Sequence, residues 1–268
     1  LNDHATHESG SRATYQIRAL DRGLDILECF TTQEPELSIG QIGERANLPK
    51  PTIVRLLSVL TERGYVERVP DAERYRLGVR TLEVGSVYQQ STSLEAEANP
   101  IMRKLADTTG QTANLAILDR HQVVHTEVVA PDRPVRFWAS IGTREDAYVS
   151  ALGKVLLASL PAPNLETCLK QPRIAITSHT IVEETALREE LERVSRQGYA
   201  IDNEESNIGV VCIAAPIRDT SGKIIAAVSI SGLRTEFEAD GNMDRLIGLV
   251  RTAASDISAR LGWTGASS

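Results

Sequence analysis

Ser38-Ile39-Gly40-Gln41-Ile42-Gly43-Glu44-Arg45-Ala46-Asn47-Leu48-Pro49-Lys50-Pro51-Thr52-Ile53-Val54-Arg55-Leu56-Leu57 packs two short helices into one span of chain. Ser38 is an N-cap residue ahead of Ile39, Ile42 and Ala46, and Asn47-Leu48-Pro49 stops that helix. Pro51 suits the first turn of the next helix, where a missing N–H costs nothing. Ile53, Leu56, Leu57 and Leu60 form its apolar stripe, and Gly64 is its C-cap. Two extended runs follow, Tyr65-Val66-Glu67-Arg68-Val69 and Arg74-Tyr75-Arg76-Leu77, turned by Pro70-Asp71-Ala72-Glu73. Upstream, Ile17, Leu20, Leu24, Ile26, Leu27 and Phe30 recur at helical spacing, a helix that Glu34-Pro35 ends. The order predicts a winged helix-turn-helix over residues 15–80, its helix-turn-helix at about 39–58.

Such a module places its second helix in the DNA major groove and its hairpin on phosphates or in the minor groove. Lys50, Thr52 and Arg55 project from the exposed face of that helix while Ile53, Leu56 and Leu57 turn inward. Arg is the commonest reader of guanine, and Thr and Lys suit phosphate. Arg68, Arg74 and Arg76 are the hairpin's phosphate candidates, and Arg18 and Arg22 are placed to touch the backbone from the first helix. Three facts weigh against DNA. Winged helices also dock proteins, and an Arg on a helix is commonly just solvated. Ten Lys/Arg balance ten Asp/Glu from Arg18 to Arg80, whereas DNA-binding modules are mostly basic.

A length of 268 residues allows one large domain or two smaller ones. Hydrophobic residues at 41% and charged residues at 24% exclude a disordered or collagen-like chain. The net charge of −7 excludes a uniformly basic nucleic-acid coat but not a local basic face. No apolar run approaches the length of about 18 residues that a membrane helix needs, so no membrane partner is expected. Leu1 to Arg12 lacks the basic start and apolar stretch of a signal peptide, and residues 1–14 read as a flexible arm. Three widely spaced cysteines, Cys29, Cys168 and Cys212, suit a reducing cytoplasm and argue against a disulfide framework.

Past the wing the texture changes. Residues 81–93 read as a linker helix, and a further helix from Leu94 stops at Gly110. Strand-like runs cover 112–119, 123–130 and 134–141, and later 199–205, 210–217 and 224–231. Helices are expected from Ser150, near 164–170 and 183–197, and over about 240–261, with a tail at 263–268. Short hairpin connections give an antiparallel sheet flanked by helices, so the whole is α+β, with a second domain at 94–262.

Ile17-Arg18-Ala19-Leu20-Asp21-Arg22-Gly23-Leu24-Asp25-Ile26-Leu27, Leu48 through Leu57, and Arg63-Gly64-Tyr65-Val66 are similar to the first-domain motifs of the IclR family of bacterial transcriptional regulators. In the second half, Ser150-Ala151-Leu152-Gly153-Lys154-Val155-Leu156-Leu157-Ala158 and Gly198-Tyr199-Ala200-Ile201-Asp202-Asn203-Glu204-Glu205 are similar to that family's effector motifs. So are Gly209-Val210-Val211-Cys212-Ile213-Ala214-Ala215-Pro216 and Ser229-Ile230-Ser231-Gly232. The resemblance spans roughly residues 15–262 and implies a dimeric or tetrameric regulator. Its second domain would be GAF-like and bind a small molecule, often an organic acid. Asp146 and Tyr148 stand where many relatives have Pro and His, a departure expected to reshape the pocket mouth.

The effector motifs also read physically. Ser150 is an N-cap, and a helix start offers unpaired N–H groups and a positive dipole end to a carboxylate. Leu152, Gly153 and Lys154 can present backbone N–H groups there, Gly153 allowing close approach. From the residues alone, capping and packing explain Ser150 and Gly153 equally well, and the resemblance favours the ligand. Asp202, Cys212, Ser229 and Ser231 come from three successive strands, and 229 and 231 share a face. Their hydroxyls can bond a ligand, and Asp202 can accept from a ligand hydroxyl or hold a proton if buried. Trp138, Val210 and Leu152 are apolar wall candidates, although core packing explains them equally.

Gly153-Lys154 is no P-loop, because Tyr148 and Val155 replace the glycine and hydroxyl that motif needs. No metal-ligand spacing, catalytic motif or cofactor fingerprint is present, so no metal, cofactor or catalytic residue is expected. The favoured reading is a cytoplasmic, ligand-responsive regulator binding a palindromic double-stranded DNA site, a repressor before an activator. The rivals are a sensor whose winged helix docks a protein, and an enzyme using Cys212 as nucleophile.

Overall fold

The computed structural model describes residues 17–265, apart from 32, 71, 92, 134–139 and 239–240. The expected arm over 1–14, most of the strand expected at 134–141, Trp138 and the end of the tail lie outside the described residues. The chain divides into two compact units, Leu1–Gln90 and Ser91–Ser268.

In the first unit, α1 (Arg18–Glu28) leads to β1 (Leu37–Ser38), α2 (Ile39–Ala46) and α3 (Lys50–Glu62). The helix α1 stops at Glu28, well before the expected Glu34-Pro35. The hairpin is β2 (Val66–Arg68) and β3 (Arg74–Leu77), and β3 also pairs with β1 through Leu37 opposite Tyr75 and Ser38 opposite Arg74. Ser38 closes a capping box: its Oγ accepts from the Gln41 N–H, and the Gln41 side chain accepts from the Ser38 N–H at 2.9 Å. Asn47 ends α2 in the left-handed region at φ 50°, a conformation Asn tolerates. Ile26, Leu37, Ile42, Ile53, Leu57 and Val66 form the buried core of this unit. α4 (Val79–Ser91), expected at 81–93, is anchored at its start by the Arg80 N–H on Gly64 O and by Thr81 Oγ on Tyr65 O.

In the second unit, α5 (Ser93–Thr109) precedes β4 (Thr112–Asp119), β5 (Gln122–Val129) and β6 (Arg144–Asp146). A 3-10 turn (Ala147–Val149) leads into α6 (Ala151–Ala158), followed by α7 (Ala162–Leu169) and α8 (Glu184–Gln197). Then come β7 (Ala200–Asn203), β8 (Val210–Arg218), β9 (Ile224–Leu233), α9 (Arg234–Phe237) and α10 (Asn242–Arg260). The six described strands form one antiparallel sheet in the order β6-β5-β4-β9-β8-β7. The short β6 and α9 carry no strong periodic signal and were not expected from sequence.

Period-two alternation splits the central strands between two layers. Val211, Ile213, Ala215, Val228 and Ile230 face one layer, packed with α5 and α10 residues such as Met102, Leu105 and Val250. Ala116, Ala200, Ala214 and Ala227 face the other, with Leu152, Leu156, Leu187 and Leu191 of α6 and α8. The alanines matter because they let α6 lie close on the sheet. Gly153 tightens the same contact from above: a Cβ there would stand 2.0 Å from the Ala147 carbonyl oxygen. We therefore expect Gly153→Ala to cost about 1–3 kcal/mol or more, the range for overpacking. The check is urea unfolding followed in the second unit, with the first unit's transition unmoved. Ser38→Ala should do the reverse, weakening the first unit by about 1 kcal/mol through loss of the cap.

Candidate functional site

A cavity of about 140 Å³ opens where α6 begins above the sheet. Its floor is one cross-strand row. Thr112 of β4 stands opposite Ser231 of β9, Ser231 opposite Cys212 of β8, and Cys212 opposite Asp202 of β7. Asn114 and Ser229, opposite each other in the next row, extend the floor. These residues share the sheet face that carries alanines under α6, so the floor is where that face turns from small and apolar to polar. Ser150, Ala151 and Leu152 cover it, and Glu145, Ser206, Asn207 and Val210 complete the wall.

The roof is the N-terminus of α6. The Ser150 Oγ accepts from the Gly153 N–H at 3.1 Å, and the Ser150 carbonyl accepts from the Lys154 N–H at 2.9 Å. That leaves the N–H groups of Ala151 and Leu152, which have no acceptor within the helix. Gly153 and Lys154 are not among the lining residues. Gly153 faces Ala147, and the Lys154 side chain runs under the helix, 1% exposed. Its ammonium meets Glu205 at 2.5 Å, Glu190 at 3.4 Å and the Ile201 carbonyl at 2.5 Å. Asp146 and Tyr148 do not stand at this mouth either. They line a separate small cavity with His121 and Arg173, and the Tyr148 hydroxyl donates to Ile174 O at 2.9 Å.

The floor bonds are specific. Asn114 Nδ2 donates to the Thr112 carbonyl at 3.4 Å, to Ser231 Oγ at 3.1 Å and to Ser229 Oγ at 3.4 Å. The carbonyl fixes which way the amide points, since only the NH2 end can donate to it. Asp202 is fully buried and braces the loop beyond β7. Its Oδ1 accepts the Glu205 N–H at 2.7 Å, and its Oδ2 accepts the Ser206 hydroxyl at 2.5 Å. Burial pushes its carboxyl above the ordinary range, against the pull of Ser206, the Glu205 N–H and Lys154. Glu205 is raised in the same way, burial outweighing Lys154. Burial, then the Asp202 charge, pushes the Cys212 thiol well up, which is the opposite of what a thiolate nucleophile needs. No histidine stands among the described residues that line the cavity.

Thr112, Asn114, Glu145, Ala151, Ser206 and Asn207 line this cavity and were not singled out from the sequence. Thr112 and Asn114 did leave a signal. They are polar residues two apart in a strand that is otherwise apolar up to its last residue, Asp119.

In the first unit, Ile53 and Leu57 are buried and Arg55 on the opposite side of α3 is exposed. Lys50 is exposed, Thr52 half-buried, and Leu56 only partly buried. Arg18 and Arg22 are exposed on α1, as are Arg68, Arg74 and Arg76 on the hairpin. Arg74 and Arg76 share one hairpin face, whereas Arg68 stands opposite Tyr75 on the other. Arg76 is ion-paired with Glu67.

A winged helix joined in one chain to a sheet domain with a polar cavity is the architecture of a DNA-binding regulator with a second, cavity-bearing domain. The comparisons agree. The family described as "IclR helix-turn-helix domain" matches residues 19–70, and "Bacterial transcriptional regulator IclR C-terminal" matches residues 86–259. The chain is 33% identical over 250 residues to the HTH-type transcriptional regulator BhcR of Paracoccus denitrificans, covering 93% of this chain and 89% of that protein. It is 31% identical over 253 residues to the transcriptional repressor IclR of Escherichia coli, covering 93% and 92%. Among solved structures, an IclR homolog from Microbacterium hydrocarbonoxydans, complexed with 4-hydroxybenzoate, is similar at 27% identity and a TM-score of 0.81. That match covers 91% of this chain and 98% of that one. The chain belongs to the IclR family of bacterial transcriptional regulators, whose members are regulators rather than enzymes. The fold is α+β, a winged helix-turn-helix with a GAF-like second domain. No described helix is long and apolar enough to cross a membrane.

A carboxyl raised by folding holds a proton that the unfolded chain has released. Its contribution to stability therefore falls as pH rises from about 4, the unfolded value, through the raised folded one. Asp202→Asn keeps an acceptor for the Glu205 N–H and removes this slope. The variant should gain stability relative to wild type as pH rises from 4 to 8. Parallel unfolding curves at every pH would show that Asp202 is not a buried proton-binding group.

Proposed function

We propose that this protein is a ligand-responsive DNA-binding regulator, a repressor in sign, that senses a small organic acid in its second domain. Residues 15–80 read DNA, 81–93 connect, and 94–262 sense. The observation that carries the sensing role is the cavity itself, floored by the Thr112–Ser231–Cys212–Asp202 row and roofed by the start of α6. A helix start of this kind suits a carboxylate. The size agrees with a small ligand, since an engineered cavity of about 150 Å³ holds benzene. Ser150, Leu152, Asp202, Val210, Cys212, Ser229 and Ser231 touch that ligand, while Gly153 and Lys154 hold the roof in place.

On the DNA side, Arg55 reads a base edge in the major groove. Lys50 and Thr52 bind phosphate there, Arg68, Arg74 and Arg76 bind it from the hairpin, and Arg18 and Arg22 from α1. A palindromic operator implies a homo-oligomer, dimer or tetramer, with half-sites about 34–36 Å apart or a multiple of it. The exposed apolar side chains of α4, among them Val79, Leu82 and Val87 at 66–70%, are a surface for that assembly. Effector binding then biases the placement of two DNA-reading units through a coupling of about 1–3 kcal/mol. The site of action is the cytoplasm, where the DNA is.

Fluorescence anisotropy with DNA from the gene's own upstream region, against scrambled DNA and across salt, tests this reading. Sequence-dependent, salt-sensitive binding is expected. Arg55→Ala should weaken specific binding by about 1–3 kcal/mol and leave ligand affinity unchanged. Equal loss of both functions would refute the division of labour. Arg74→Ala should lower the log–log salt slope by about one phosphate contact. Arg76→Ala should lower it less, because Glu67 already neutralises that side chain. Ser229→Ala should blunt release of DNA by ligand while DNA affinity survives.

A further inference from the structure

We propose that the cavity selects ligands that carry one carboxylate together with hydroxyl groups, and that it excludes dicarboxylates. This rests on reading the cavity as the effector site and adds the chemical class of its occupant. The charges are the starting point. Among the described residues that line the cavity there is no Lys or Arg, yet two carboxyl groups are present, Asp202 and Glu145, the latter 3.4 Å from the His125 imidazole. Lys154, the cation that acts on Asp202, has its ammonium engaged by Glu205, Glu190 and the Ile201 carbonyl and does not reach the lining. The positive end available to a ligand is the start of α6, whose dipole amounts to about half an elementary charge. That serves one carboxylate. A second would enter a space lined by Glu145 and Asp202, where no Lys or Arg stands among the described residues.

The neutral groups complete the selection. Ser150, Ser206, Ser229 and Ser231 supply hydroxyls to the wall, and Asn114 and Asn207 supply amides. Asn114 is 3% exposed, and its Oδ1 has no donor among the described residues, while its Nδ2 serves the two serines. Glu145 and Asp202 are acceptors in addition. The wall is therefore rich in acceptors and in adaptable hydroxyls, a surface that an aliphatic chain leaves unpaired and a hydroxylated chain satisfies.

The test is isothermal titration calorimetry of the full chain with three matched sets of acids. These are propionate, glycerate and malonate; butyrate, erythronate and succinate; and benzoate, 4-hydroxybenzoate and terephthalate. On the skeleton that fits, the hydroxylated monocarboxylate should bind at least about tenfold tighter than both of its relatives. Ser229→Ala should shrink its lead over the unhydroxylated acid. Glu145→Gln on β6 should shrink its lead over the dicarboxylate. A dicarboxylate that binds as tightly overturns the exclusion, and an unhydroxylated acid that binds as tightly overturns the hydroxyl requirement. Silence from all nine acids overturns the effector-site reading itself.

Discussion

The close seat of α6 on the sheet is the constraint on which the second domain depends. Three features hold it. Alanines beneath the helix leave room, Gly153 has no space for a side chain beside Ala147, and Lys154 is buried under the helix against Glu205 and Glu190. A buried cation is costly unless paired, so this anchor fixes one geometry rather than adding much net stability. With the helix seated, Ser150 spends its own hydroxyl on the cap, and the first two N–H groups are left over the polar end of the floor.

The same logic explains what the sequence disclosed. The winged helix was legible because each signal is local: Ser38 with Gln41, Asn47 in the left-handed region, Pro51 in a first turn, and an apolar stripe at Ile53 and Leu57. The two-residue strand β1 was not, since its pairing to β3 depends on a partner more than thirty residues away. In the second domain, Asp202, Cys212, Ser229 and Ser231 could be named from strand alternation, and three of them share one cross-strand row. Thr112 closes that row, but nothing in its own strand says that β4 lies beside β9. A helix start offers N–H groups, so the sequence points to Gly153 and Lys154 as ligand neighbours. Which of those groups stay free depends on Ser150 and on packing, and packing is not local. Asp146 and Tyr148 likewise follow the chain into a different cavity, where Tyr148 ties down the segment at Ile174.

Charge is distributed with the same economy. The first unit has as many acids as bases between Arg18 and Arg80. Arg45 is held by the Cys29 carbonyl and Glu34, and Arg76 by Glu67, whereas Arg55 on α3, Arg18 and Arg22 on α1, and Arg68 and Arg74 on the hairpin are exposed. A neutral total can coexist with exposed arginines, and it is the local charge that a phosphate backbone meets.

The wall formed by Ser206 and Asn207 differs in kind from the floor. Its loop is fastened at one end by Asp202 and at the other by Glu204, which accepts the Gly209 N–H at 2.7 Å and pairs with Arg234 at 2.5 Å. Glu204 itself sits at φ 64°, and neither end is held by the apolar layers. Such a wall is held by polar bonds set beside apolar layers, so its residues can be exchanged without repacking the layers on either side of the sheet. One scaffold with a fixed floor can in this way acquire new chemical tastes by changing a few residues in a single loop.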